Sequence, residues 1–130
     1  MEISWLAVGV AAVSAFVLGG LWYGLIFAKP WQVASGLSDE DLKAQNQAKI
    51  FSLAFVLSLV AATAFGAFLG PKPELGFALG AGVSAGLCWV AASLGIIYVF
   101  ESRPMGQWLI NGGFVTMQFT LFGLVFAFLG

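Results

Sequence analysis

The sequence predicts an all-α integral membrane protein, a bundle of four transmembrane helices in which sequential neighbours run antiparallel. Three observations carry this prediction. Of 130 residues, 61% are hydrophobic and 8% are charged, and the mean hydropathy is +1.00, whereas about a quarter of the residues in a soluble domain are charged. The few charges are clustered, so that residues 3–28, 50–71, 75–100 and 104–130 carry none. Each of these stretches exceeds the ~20 residues that a helix needs to cross ~30 Å of hydrocarbon. No alternation of period two runs through them, and in lipid every backbone amide needs an internal partner, so they are helices and not barrel strands.

The whole chain, 1–130, reads as a single transmembrane domain. Helix one occupies about residues 3–28. It does not read as a signal peptide: no Lys or Arg precedes the apolar run, the run is longer than an h-region, and it closes on Trp22, Tyr23 and Lys29. A polar loop is expected over 29–38. It ends in a helix-start signature from Leu37 to Leu42 in which Ser38 caps, Asp41 reaches back and Leu37 staples to Leu42. The acidic triplet Asp39, Glu40 and Asp41 then meets the positive end of the helix dipole, and capping explains it better than metal binding.

Helix two is therefore expected over about 39–70, its first turns projecting beyond the bilayer. Gly70 and Pro71 stop it, and Pro73 with Glu74 opens helix three, about 73–101, after a tight hairpin. Pro104 restarts the chain as helix four, about 104–129.

Four crossings place both termini on one side. The first and third connections hold Lys29, Lys43, Lys49 and Arg103, against Lys72 alone beside the termini. The positive-inside rule then makes segments 29–49 and 101–104 cytoplasmic and puts both termini outside the inner membrane of a bacterial cell. Trp22, Tyr23, Trp31, Tyr98 and Trp108 gather near the same two connections, as an interfacial aromatic belt does, and Trp5 marks the other interface.

Composition excludes much chemistry. One cysteine, Cys88, and no histidine rule out disulfide frameworks, Cys/His zinc sites, haem ligation by His and His-based catalysis within one chain. A net charge of −1 provides no basic surface for nucleic acid. No cofactor and no metal is expected. Cys88 itself reads as a small packing residue, since a thiol in apolar surroundings stays protonated.

The candidate polar site lies where the first and third connections converge: Trp22, Tyr23, Lys29, Trp31, Asn46, Lys49, Glu101, Arg103, Gln107 and Asn111. Glu101 ends an apolar span, where a carboxylate is costly without a cation or water nearby. Lys49 and Lys29 are its expected partners, because Arg103, two positions on, faces poorly if the turn is still helical. An interfacial ion pair fixing helix ends is the plainer reading, and a proton- or substrate-handling carboxylate the sharper one. On helix four, Gln107, Asn111 and Gln118 share one face. Gln118 falls near the bilayer centre, where an unpaired amide is penalised, so a hydrogen bond to a neighbouring helix or a polar pathway is expected.

Helix three presents Gly80, Ser84, Cys88, Ala91 and Gly95 along one side, and helix one presents Ala12, Ala15 and Gly19 beside a Gly20/Gly24 pair. Such faces let helices approach closely where hydrophobic association is unavailable. Lys29-Pro30 and Arg103-Pro104 each follow an aromatic stretch, a thin trace of a duplicated two-helix unit.

The segment WYGLIFAKPW at residues 22–31, and FESRP at 100–104 followed by Asn111 and Gly112, resemble the domain-of-unknown-function family numbered 1761, small bacterial membrane proteins. The resemblance covers nearly the whole chain. It implies a four-helix membrane fold, brings no established activity, and makes Trp22, Tyr23, Lys29, Trp31, Glu101 and Asn111 the positions to mutate first.

Two functions are expected. In the first, the chain is a homo-oligomeric channel or transporter for an ion or small solute, with Glu101, Lys49, Asn111 and Gln118 as its polar elements. In the second, it is a non-catalytic scaffold in the lipid bilayer that docks a partner through its aromatic and charged face. An enzyme is not expected: without His, a metal-ligand set or an activated nucleophile, only Glu101 and the Asp39–Asp41 triplet remain for acid–base work.

Overall fold

The computed structural model describes residues 3–130, and among them the chain is helical with no strand. Four helices are long and apolar enough to cross a membrane: α1 (Trp5–Ile26), α4 (Gln47–Leu69), α5 (Leu75–Phe100) and α6 (Met105–Leu129). Two short helices, α2 (Ala28–Ser35) and α3 (Asp39–Ala44), lie between α1 and α4.

The first connection departs from expectation in two places. The predicted polar loop over 29–38 contains α2, which tolerates Pro30 because the amides of a first helical turn need no intrahelical acceptor. Gly36 ends it in the left-handed conformation at φ 72°, with Gly36 N–H donating to Val33 and Leu37 N–H to Gln32. The predicted second helix over 39–70 is two helices. The capping box forms: Asp41 N–H donates to Ser38 Oγ at 3.0 Å and Ser38 N–H to Asp41 Oδ2 at 2.9 Å. Yet α3 lasts only six residues. Gln45 is extended, and Asn46 Oδ1 accepts from Lys49 N–H at 3.1 Å, so a second N-cap starts α4 at Gln47. An Asn side chain competes with the helical ladder for backbone amides, and here it interrupts what hydrophobic periodicity alone would have continued.

Helix α4 stops at Gly70, φ 81°, and Glu74 caps α5 by accepting from Gly76 N–H at 3.1 Å. Pro73 therefore precedes α5 rather than opening it. Two stretches are wound as π-helix, Trp22–Ile26 at the end of α1 and Ala85–Ala91 in the middle of α5.

The π-wound stretch of α5 decides how α5 meets α6. A straight helix would align Gly80, Ser84 and Cys88 with Ala91 and Gly95, but Gly80, Ser84 and Cys88 are not the residues that touch α6, and Ser84 and Cys88 are exposed. The face on α6 is instead Gly82, Gly86, Ala91 and Gly95, spaced four, five and four. One extra residue in an i→i+5 turn rotates the remainder of the helix by ~100°, which brings Ala91 and Gly95 into line with Gly82 and Gly86. Backbones then touch: a Cβ on Gly86 would stand 2.6 Å from Thr116 Cα, and one on Gly82 or Gly123 would strike the facing carbonyl of Phe119 or Ala78. Small residues at these points permit the van der Waals contact that holds helices together in lipid.

Along α5 and α6 the contacts pair Ala78 with Gly123, Gly86 with Thr116 and Ala91 with Gly112. Along α1 and α6 they pair Ser4 with Leu129, Gly19 with Phe114 and Trp22 with Ile110. In both pairs of helices the residue numbers rise on one as they fall on the other. The core sits toward the termini, where Ala7, Ala11 and Ala15 of α1 meet Ala62 and Phe65 of α4 and the fully buried Phe122 of α6. Phe65 stands edge-on to Phe119 at 5.4 Å. The first half of α4 packs on Phe16 through Phe51 and Phe55, and its Leu53, Val56 and Leu57 are exposed, the apolar outer surface that lipid contact requires.

Candidate functional site

Away from that core, the ends of α1 and α5 and the start of α6 converge, and α2 packs beneath them. Asn111 stands at the centre. Tyr23 OH, on the π-wound end of α1, donates to Asn111 Oδ1 at 2.7 Å, and Asn111 Nδ2 donates to Tyr98 OH, on α5, at 2.9 Å. One amide thus ties three helices, its carbonyl and amino halves each taking one phenol.

Two indoles hold the surrounding backbone. Trp22 Nε1–H donates to the Ile110 carbonyl at 2.9 Å, and its ring crosses Gly113, where a Cβ would stand 3.0 Å away. Trp108 Nε1–H donates to the carbonyl of Ala91, the last residue of the π-wound stretch, at 2.7 Å. Its ring lies over Gly95. Trp31 of α2 packs edge-on to Tyr23 at 5.5 Å, and Phe114 packs against the same ring at 5.3 Å. Rings so fixed hold the phenol groups in place without any charged partner.

The expected site residues therefore divide. Trp22, Tyr23, Trp31 and Asn111 come together. Lys29 and Lys49 are exposed and make no ion pair among the described residues. Glu101 does not pair with either lysine. Its Oε1 accepts from Arg103 Nε at 3.2 Å, because Ser102 at φ 55° breaks the helix and folds Arg103 back, so helical facing rules do not apply. With both side chains about half exposed, the pair is worth roughly 0–1 kcal/mol.

Gln118 is half-buried and makes no hydrogen bond among the described residues, which goes against the interhelical bond and leaves the polar-pathway expectation standing. Gln107 Oε1, on the same face of α6, is buried without a partner among the described residues, as is Ser35 Oγ of α2. Tyr98 and Trp108 were legible only as belt aromatics. The signal that would have enlisted Tyr98 is its place one turn before the third connection, on the helix next to Asn111. The network holds phenols and an amide, with no carboxylate, amine or thiol among its members.

Neither a curated protein nor a solved structure matches the chain. A family model does match, over residues 6–127, and its span takes in nearly all of the four long helices and every residue of the network. The chain belongs to the family described as Protein of unknown function (DUF1761).

Proposed function

We propose that the four long helices cross a bacterial inner membrane as an antiparallel bundle, termini outside and segments 29–49 and 101–104 in the cytoplasm. Within it the chain works as a homo-oligomeric transporter of a small, uncharged, hydrogen-bonding solute. The observation that supports this reading is the Tyr23–Asn111–Tyr98 network, continued along α6 by the amides of Gln107 and Gln118. Polar groups at membrane depth mark solute pathways when they line a cavity or an assembly interface. Among the described residues the charged side chains are exposed at helix ends and in the connections, so the stripe itself presents donors and acceptors only. This favours a neutral solute over an ion, and hydrogen bonding over bond chemistry.

Flux into liposomes tests it. Reconstituted protein should admit urea, glycerol or a small polyol faster than empty vesicles, and Asn111→Leu or Gln118→Leu should lower that flux at least several-fold. A flux equal to that of empty vesicles across neutral solutes, protons and common ions would end the transport reading.

A further inference from the structure

Between the last turns of α5 and the first turns of α6 a groove of about 500 Å³ stays open, walled chiefly by Ile96, Val99, Phe100, Met105 and Trp108, with Arg103 among its lining residues. Its floor is fixed, since the Trp108 indole is pinned to the Ala91 carbonyl and rests on Gly95. Its apolar rim is bare: Val99 is 78% exposed, Phe100 86% and Met105 66%. Arg103 meets Glu101 through Nε alone, which leaves its terminal guanidinium nitrogens without a partner among the described residues. A guanidinium fork beside an apolar slot complements a molecule with a phosphate at one end and a hydrocarbon chain behind it.

We propose that this groove is a binding site for an anionic glycerophospholipid, with one acyl chain along Val99 and Trp108 and the phosphate on the terminal nitrogens of Arg103. Glu101 faces the same phosphate and weakens its attraction, so the Glu101–Arg103 pair sets the strength of binding. The site rests on the membrane-crossing reading and is independent of transport.

Delipidated protein in detergent, titrated with phosphatidylglycerol or phosphatidylcholine of matched chains and read by native mass spectrometry, tests this directly. Phosphatidylglycerol should be retained about fivefold more, the factor given by ~1 kcal/mol per basic residue beside an anionic headgroup. Arg103→Gln should erase that preference and Glu101→Gln should widen it. Val99→Trp, which fills the slot and leaves the charges intact, should lower retention of both lipids. Equal retention of the two lipids by the native protein, or a preference that survives Arg103→Gln, overturns the proposal. So does full displacement of lipid by glycerol phosphate, which has the head and no chain. Failure of the membrane reading would show separately, as release of the protein from membranes by carbonate.

Discussion

Replacing Asn111 with leucine removes at once the acceptor of Tyr23 and the donor to Tyr98. Interhelical hydrogen bonds in membranes contribute roughly 0.6–2 kcal/mol each, so Asn111→Leu should destabilise the fold by ~1–3 kcal/mol in a denaturation or steric-trapping measurement. Gln118→Leu should behave oppositely. It removes an amide that makes no bond among the described residues, so stability should hold or rise while solute flux falls, which separates a pathway residue from a structural one. Asp41 supplies the pH-dependent case. The Ser38 backbone amide and then the Ser38 hydroxyl hold its carboxyl below the usual carboxylate range. A depressed native value means that the capping contribution is fully present above the unfolded value of about 3.9 and is lost as pH falls through the native one. Amide protection in α3 should therefore be unchanged from pH 7 to pH 5 and should fade only below about pH 4. In Asp41→Asn that acid-linked loss should vanish.

At the scale of the element, the π-wound stretch of α5 carries a consequence that no side-chain contact reveals. Deleting Leu87, an exposed residue within it, should let α5 wind as continuous α-helix with Gly86 and Ala91 four positions apart, so that everything beyond keeps its face. Ala91, Gly95 and Tyr98 would stay on the α6 face together, and with them the Ala91–Trp108 and Tyr98–Asn111 bonds. Disulfide trapping reads this register. A Cβ built on Gly112 stands 3.3 Å from Ala91 Cβ, near the separation that a disulfide spans. Ala91→Cys with Gly112→Cys in a Cys88→Ser background should cross-link readily and should still do so once Leu87 is deleted, whereas one alanine inserted after Leu87 should turn position 91 away by ~100° and abolish the cross-link. Loss of the cross-link on deleting Leu87 would mean that the π-wound stretch does not hold a surplus residue. The break between α3 and α4 is a matter of the same scale: a single Asn, through one side-chain acceptor, ends one helix and begins another.

At the scale of the whole molecule, the charge pattern makes a topological prediction. In intact cells with a permeabilised outer envelope, a cysteine at Lys43 in a Cys88→Ser background should resist an impermeant maleimide until the inner membrane is opened, whereas one at Lys72 should label at once. The reverse pattern would invert the orientation. Cross-linking in native membranes separates the two functional readings, since a homo-oligomeric transporter traps chiefly itself and a scaffold traps one particular partner. The asymmetry of packing bears on this. The core is concentrated toward the termini, while the opening half of α4 contacts Phe16 of α1 through Phe51 and Phe55 and leaves Leu53, Val56 and Leu57 outward.

The sequence by itself determined four helices long and apolar enough to cross a membrane, the capping box at Ser38, the stops at Gly70 and before Pro104, and the family. These are set by the solvent and by local backbone chemistry, both of which act on neighbours in the chain. Tertiary structure alone decided which polar residues meet: that Tyr98 completes the Asn111 network, that Glu101 turns to Arg103 instead of a lysine, and that Gly82 and Gly86 displace Gly80 and Ser84 from the α6 face. The physical reason is rotation. A positive φ at Ser102 or one surplus residue in a π-turn redirects every side chain beyond it, and hydropathy, which counts how apolar a helix is, carries no record of which way it is turned.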